Sequence, residues 1–358
     1  MTGSAATFTF YIHLFYPPRW AGILHFLSHF YFFTFIFFTF YIFLTYNPKH
    51  QSPNNKQQTT NNKQQTQIFN YPSYICIMIK TISVAGAGTM GSGIALCVAQ
   101  YGLQVILFDT NETVIEKAKS SIEKNLDQLV QKNKISAEEK TSIQERMQFT
   151  TEHKDCVADL VIEAIIEKME AKTDLFSKLA SINSPTTILA SNTSSLSIDE
   201  LQKHIPAPER VAGLHFFNPA QIMKLVEVVK GKQTSSDTIE ALVSLCKKLN
   251  KTPVRCIDAP GFIVNRVARH YYLEAMRIAE QQQTPIADID EILESAGFKM
   301  GPFKLMDLIG NDINLAVSQS LFDAYDGEKR FQPSPLQIEK VKQGNLGRKT
   351  GKGFYDYQ

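Results

Sequence analysis

Two short apolar runs in this chain each enclose one ionisable side chain. In Val211-Ala-Gly-Leu-His215-Phe-Phe-Asn218-Pro219 it is His215, and in Lys224-Leu-Val-Glu227-Val-Val it is Glu227. Runs of this length and composition read as consecutive buried strands. Strand alternation puts Val211, Gly213 and His215 on one face, and Leu225, Glu227 and Val229 on one face of the next run. A carboxylate among Leu225, Val226, Val228 and Val229 is costly to desolvate unless something pairs with it. A histidine at the end of the neighbouring strand is a natural partner. Such a pair makes a base held in one tautomer and raised in basicity by the acid behind it. A core histidine capping a strand beside an edge glutamate fits the same residues, because perturbed ionisable pairs mark sites only as a tendency.

The segments that must position this pair begin well upstream. Lys80–Ala85 is a short apolar strand, and Gly86-Ala-Gly88-Thr89-Met90-Gly91 follows it without a gap. Apolar side chains at Ile94, Cys97, Val98 and Tyr101 then keep helical spacing. A second strand, Gln104-Val-Ile-Leu-Phe-Asp109, ends in an acid. A GxGxxG turn alone is weak evidence; between strand and helix, with an acid about 20 residues on, it is a dinucleotide-binding fingerprint. Gly86 allows the tight turn, Gly88 lets the backbone approach a pyrophosphate, and Gly91 lets the helix pack on the strand. The helix N-terminus offers free N–H groups to the phosphates. Asp109 accepts from both ribose hydroxyls and repels a 2′-phosphate, which favours NAD over NADP. Asp159-Leu-Val-Ile-Glu163-Ala-Ile and Thr187-Ile-Leu-Ala190 read as further buried strands, with a helix from about Met169 to Ser181 between them. The second ends at the polar run Ser191-Asn192-Thr193-Ser194-Ser195, where open α/β sheets bind ligands. Ser197 alone could cap the helix beginning near Ile198, so the longer run needs another reason.

Thr110 to Met147 reads as two charged amphipathic helices separated near Lys134-Ile-Ser136. Asp258-Ala-Pro260-Gly261 breaks the pattern as a hinge. Beyond it only helices are expected, at about 262–282, 287–296, 303–325 with an interruption near Gly310, and 335–343. The fold class is therefore α/β: a Rossmann-type dinucleotide-binding domain over 78–259, followed by a smaller all-helical domain over 260–358. Residues 1–77 stand apart as a leader. They hold Arg19, Lys49, Lys56 and Lys63 and no acidic residue, so the rest of the chain carries 33 basic against 35 acidic side chains. An aromatic and aliphatic run over 20–48 is long enough to cross a bilayer, which takes about 20 residues, and a low-complexity Asn/Gln tract from Gln51 to Gln67 follows. A membrane anchor, an atypical targeting leader and a mistranslated upstream region all fit, and the last is favoured because a strand begins within two residues of Met78. A chain starting at Met78 is expected to be as active as the full one, and a truncated protein unable to bind NADH would contradict this.

The 358 residues, 44% of them hydrophobic, suffice for two domains, and a formal net charge of +2 suggests no nucleic-acid partner. Five cysteines without a CxxC indicate neither a disulfide frame nor a zinc site, and reduced thiols inside a cell are the plain reading. His25 and His29 lack the glutamate of a zinc-protease motif, so no metal is expected.

The chain from about Met78 onward resembles the NAD-dependent L-3-hydroxyacyl-CoA dehydrogenases, especially the short single-function 3-hydroxybutyryl-CoA dehydrogenases. The likeness rests on Ala85–Gly91, Asp159–Ala164, Ser191–Leu196, Gly213–Pro219 and Met223–Val228. It continues through Asp258-Ala-Pro-Gly-Phe-Ile-Val-Asn265-Arg266, Gly301-Pro-Phe303 with Asp307–Gly310, and the ending Leu346-Gly-Arg-Lys-Thr-Gly-Lys-Gly-Phe-Tyr-Asp356. By that resemblance His215 is the catalytic base and Glu227 its orienting partner. Ser194 and Asn265 bind the substrate's oxygens, and Asn218 lies beside the base. The turn Gly86, Gly88, Thr89, Met90 and Gly91 holds the cofactor NAD, and Asp109 meets its adenosine ribose. Glu167, Lys172, Asn192 and Ser194 lie near the nicotinamide half. Lys304 stands where an acidic residue is common in the family. A homodimer through the helical domain is likewise implied by the resemblance, since Leu305, Leu308 and Ile309 fit an intrachain core equally well.

The expected activity is reversible oxidation of an (S)-3-hydroxyacyl-CoA, as in fatty-acid β-oxidation or butanoate metabolism, in the mitochondrial matrix or the cytoplasm. Membrane association is expected only if residues 20–48 are retained. Oxidising a secondary alcohol requires a hydride acceptor and a base within reach of the hydroxyl. Outside the leader only His153, His204, His215 and His270 are available, and only His215 follows a buried strand with an acid one strand away. A dehydrogenase of a small free hydroxy acid, of the gulonate type, and a catalytically silent protein of the same fold are the alternatives. His-Phe-Phe-Asn-Pro and Met-Lys-Leu-Val-Glu-Val favour the acyl-CoA branch, and the intact His215, Glu227, Ser194 and Asn265 argue against silence.

Overall fold

The computed structural model describes residues 78–281 and 284–357. The leader, its 20–48 run and the His25/His29 pair lie outside the described residues. Strands β1 (Thr81–Ala85), β2 (Gln104–Phe108), β3 (Met147–Thr150), β4 (Leu160–Glu163), β5 (Ile188–Ser191), β6 (Val211–Phe216), β7 (Leu225–Lys230) and β8 (Thr252–Ile257) form one sheet. Its order is β3-β2-β1-β4-β5-β6-β7-β8. Pairing is parallel from β3 to β6, antiparallel between β6 and β7, and parallel again to β8. The order reverses at β1, which lies between β2 and β4, and such switch points open a crevice at the carboxyl ends of the strands.

Helices cover both faces, and this explains why the inner strands read as continuous apolar runs instead of alternating ones. On one side Ile82, Val84, Leu107 and Ile162 pack with Ile94, Leu96 and Val98 of α1 (Thr89–Gln100). On the other, Val161 and Leu189 pack with Phe176 and Leu179 of α4 (Met169–Ile182). The charged stretch after β2 forms α2 (Glu112–Gln131) and α3 (Ala137–Glu145). The first buries Ile115, Ala118, Ile122 and Leu126 at helical spacing, and the second begins with a capping box of Ser136 and Glu139. The short α5 (Ile198–Gln202) is capped by Ser197, and α6 (Ser236–Lys248) leads to β8.

Neither β3 nor β8 is evident in the sequence reading. Both are edge strands, where one flank lacks a neighbour and the apolar run is correspondingly weak. Pro253 within β8 is tolerated there because an edge position need not donate to a further strand.

After Gly261 come α7 (Val264–Glu280), α8 (Ile286–Ser295), α9 (Pro302–Ile309), α10 (Asn311–Ala324) and α11 (Pro335–Lys342). The interruption expected near Gly310 is real: that residue has φ +105°, between α9 and α10. The domain is helical as expected, and its tail adds two isolated bridges. The tail closes through antiparallel bridges from Lys352 to Gly347 and to Asp356. The buried Asp307 carboxylate draws it in, accepting from the N–H groups of Phe354 and Tyr355 and from the Tyr357 hydroxyl. Unpaired amides in a short tail find an acceptor there that no local helix could supply.

Candidate active site

The glycine turn leaves β1 at Gly86, whose amide donates to the Phe108 carbonyl at 2.7 Å. Gly86 has φ +102°, and a Cβ there would lie 2.6 Å from the Ala164 carbonyl oxygen. A Cβ on Gly91 would lie 1.7 Å from the Gly86 oxygen, so only glycine lets α1 start so close to the turn. Gly88 differs: a Cβ there meets nothing within 4 Å. That opening faces the start of α1, where Gly88 is the N-cap and no side chain caps the helix. Uncapped N–H groups beside open space fit a pyrophosphate. Asp109 is tied to this turn, with Oδ2 accepting from the Ala87 amide at 2.9 Å and Oδ1 from the Asn111 amide at 3.0 Å. Thr89 and Met90 form the first turn of α1.

Register places His215 directly opposite Glu227 in the β6–β7 pair. His215 Nδ1 lies 2.7 Å from Glu227 Oε2, and both side chains are buried. The other oxygen, Oε1, accepts from the amides of Ile263 and Val264 at 2.9 Å each. Burial pushes the Glu227 carboxyl up, but the His215 hydrogen bond, the Val264 amide, the His215 charge and the Ile263 amide outweigh it. The group is held below the ordinary carboxylate value. An ionised Glu227 accepts the Nδ1 proton of a neutral imidazole and leaves the Nε2 lone pair outward. The rings of Phe217 and Phe262 pack against His215 with centroids 4.5 and 5.8 Å away. One carboxylate thus joins the imidazole to the start of α7, which carries Asn265.

The polar run after β5 is organised by a glutamate from another loop. Glu167 Oε1 accepts from Thr193 Oγ1 at 2.6 Å and from the amides of Ser194 and Ser195 at 2.8 and 3.2 Å. Behind it, Lys172 Nζ lies 2.6 Å from Glu163 Oε1 and 3.1 Å from Glu167 Oε2. Burial pushes the Glu167 carboxyl up, yet the Lys172 charge, Thr193, the Ser194 amide and the Lys172 hydrogen bond hold it below the ordinary value. Asn192 Oδ1 accepts from the Phe216 amide at 2.8 Å, lacing the end of β5 to that of β6. Asn265 Nδ2 donates to the Ser194 carbonyl at 3.4 Å. Asn218 is exposed two residues beyond the end of β6.

The structure therefore brings His215, Glu227, Asn192, Ser194 and Asn265 into one bonded neighbourhood at the carboxyl end of β5 and β6. Glu167 and Lys172 act on the same loop from behind, and Lys172 is almost fully buried, so its ammonium faces two carboxylates and not open space. Ser191 and Thr193, part of the polar run evident in the sequence, belong to this network, as does Glu163, which was not singled out from the sequence. Glu163 carried the same signal as Glu227, an acid inside a buried apolar strand. Among the described residues no cluster of three or more His, Cys, Asp or Glu could hold a metal ion. None of the described helices is long and apolar enough to cross a membrane.

Residues 81–259 match the family described as "3-hydroxyacyl-CoA dehydrogenase, NAD binding domain", and residues 261–357 match "3-hydroxyacyl-CoA dehydrogenase, C-terminal domain". The chain is 47% identical over 284 residues to the 3-hydroxyadipyl-CoA dehydrogenase of Escherichia coli, covering 79% of this chain and 60% of that protein. It thus spans less than two thirds of that relative. It is 41% identical over 292 residues to the mitochondrial hydroxyacyl-coenzyme A dehydrogenase of Rattus norvegicus, covering 79% of this chain and 92% of that one. Among solved structures, the (S)-3-hydroxybutyryl-CoA dehydrogenase of Ralstonia eutropha superposes with a TM-score of 0.76 at 36% identity, over 78% of this chain and all of that one.

Proposed function

We propose that this chain, which belongs to the 3-hydroxyacyl-CoA dehydrogenase family, reversibly oxidises an (S)-3-hydroxyacyl-CoA to the 3-oxoacyl-CoA with NAD+. The observation that carries the reading is the His215–Glu227 pair at 2.7 Å, at the same carboxyl end of the sheet as the glycine turn. Nicotinamide supplies the hydride acceptor when NAD is bound. His215 Nε2 takes the hydroxyl proton as the hydride leaves, and Glu227 steadies the imidazolium that results. Ser194 and Asn265 hold the substrate's oxygens, and Asn218 lies beside the base. Gly86, Gly88, Thr89, Met90 and Gly91 cradle the pyrophosphate, and Asp109 takes the adenosine ribose. Glu167, Lys172 and Asn192 shape the nicotinamide end, the first two by holding the Ser194 loop.

The test is NADH oxidation, followed by absorbance, with acetoacetyl-CoA and longer 3-oxoacyl-CoAs. Turnover is expected with at least one of them, and turnover only with free oxo acids would replace this reading by the gulonate type. The dinucleotide domain is taken as 78–259 and the helical one as 260–358. A homodimer through the helical domain is supported by Leu308, Ile309 and Ile313, which are exposed on α9 and α10 instead of filling an intrachain core. A place in fatty-acid β-oxidation or butanoate metabolism, in the mitochondrial matrix or the cytoplasm, is supported by the same substrate class and by relatives named as mitochondrial.

Asp109 sets the expected cofactor preference. Replacing Asp109 by Ser removes an anion that repels a 2′-phosphate and an acceptor for the ribose hydroxyls. The ratio of kcat/KM for NAD over NADP should fall at least about tenfold, a change of ~1.4 kcal/mol. Equal efficiency of the unaltered enzyme with both cofactors would refute this role.

A further inference from the structure

We propose that Lys251 is a positioning residue for the reaction, its ammonium clamping the 217–224 loop that follows His215 and carries Asn218. The proposal rests on the reading of His215 as the base. Lys251 lies between α6 and β8 and is only 7% exposed. Its Nζ donates to the carbonyls of Ala220 at 2.6 Å and Met223 at 2.8 Å, with no carboxylate within ion-pair distance among the described residues. A buried cation held by neutral carbonyls is expensive, and an apolar side chain of similar length would fill the space at lower cost. What the ammonium adds is a geometric constraint on two carbonyls three residues apart. These carbonyls bracket a tight turn, in which the amides of Ile222 and Met223 both donate to the Pro219 carbonyl.

The opposite side of the loop meets the cofactor helix. Ala220 is buried, and a Cβ on Gly93 of α1 would come within 3.3 Å of the Ala220 Cβ and 2.9 Å of the Gln221 side-chain oxygen. Two more bonds reinforce the clamp from the Lys251 side: the Thr252 amide donates to the Lys224 carbonyl at 2.7 Å, and Lys224 Nζ to the Asn250 carbonyl at 3.1 Å. The ammonium also lies beside α1 itself. Burial pushes the Cys97 thiol up while the Lys251 charge and hydrogen bond pull it down. Lys251 therefore ties the loop with Asn218 to the end of α6. Asn218 is exposed, so on the proposed reading the backbone of this loop is what would hold it beside the base. Removing the clamp should leave the glycine turn intact and loosen the loop.

The experiment compares Lys251→Met with His215→Gln and the unaltered enzyme. NADH affinity is read by fluorescence titration, kcat and KM with acetoacetyl-CoA, melting temperature by calorimetry, and deuterium exchange over residues 217–224. Lys251→Met should bind NADH within about twofold of the unaltered enzyme. Its kcat/KM should fall about 10²-fold, the cost of displacing a positioning group by an ångström, with faster exchange confined to the loop. Should that variant be insoluble, Lys251→Gln, which keeps donors without the charge, is read against the same criteria. A kcat/KM within threefold of the unaltered enzyme overturns the proposal, as does a loss matched by equal losses in NADH affinity and melting temperature. An active His215→Gln would instead remove the base reading beneath it, so the two failures are distinguishable.

Discussion

His215→Gln is expected to fold and bind NADH normally while losing about 10²–10⁴-fold in kcat, the usual cost of removing a general base. Glutamine is close to histidine in length and volume, so the packing of the site should survive although the bond from Nδ1 to Glu227 Oε2, 2.7 Å in the parent, is given up. What disappears is the outward lone pair on Nε2. Glu227→Gln tests the same arrangement from behind. Its amide oxygen can go on accepting from the Ile263 and Val264 amides, where Oε1 accepts now. The NH2 group then faces Nδ1 and favours the imidazole tautomer that carries its proton on Nε2, which cannot act as a base. Turnover should fall although every atom of the dyad has a counterpart. Acid should lower the stability of the parent enzyme. The Glu227 carboxyl is held below its ordinary value, so its stabilising contribution is present above the unfolded carboxylate range and is lost as pH falls through the folded value. Rates of both variants within threefold of the parent at neutral pH would exclude the dyad from the mechanism.

Lys172→Met should destabilise the protein by about 3 kcal/mol, at the lower end of the cost of breaking a buried ion pair. Lys172 and Glu163 have side chains 2% and 0% exposed, 2.6 Å apart. Removing the ammonium leaves Glu163 with hydrogen bonds from the Ile165 amide and Ser191 hydroxyl but no counter-charge. Loss of the ammonium also removes a charge that holds Glu167 below the ordinary carboxylate value. Since that contribution exists above the unfolded carboxylate range and fades as pH falls, the gap between parent and variant should narrow on acidification. Thermal unfolding across pH checks both features, and the double change Lys172→Met with Glu163→Gln should recover part of the loss. Equal melting temperatures of parent and Lys172→Met at neutral pH would refute the network. A functional effect is expected beyond stability, because Glu167 holds the Ser194 amide at 2.8 Å.

Much of this arrangement was legible in the residues themselves. The strand–glycine turn–helix unit is contiguous, so its three glycines, the following helix and Asp109 can all be read from local period and spacing. Elimination among four histidines singled out His215 because burial of a strand is a local property too. The edge strands β3 and β8 escaped that reading, since one open flank removes the apolar run that announces an inner strand. The polar run Ser191–Ser195 was visible, but its organiser was not: Glu167 reaches Ser194 across 27 residues. Likewise Glu227 looked like the partner of one histidine, whereas its second oxygen anchors the start of α7, 36 and 37 residues away. Leu308 and Ile309 satisfied the helical pattern of an intrachain core, and only packing showed them to be exposed. Side-chain type and spacing thus determine which groups can do chemistry and which element carries each. The direction of every carboxylate oxygen depends on donors from distant segments, and only the folded chain decides those.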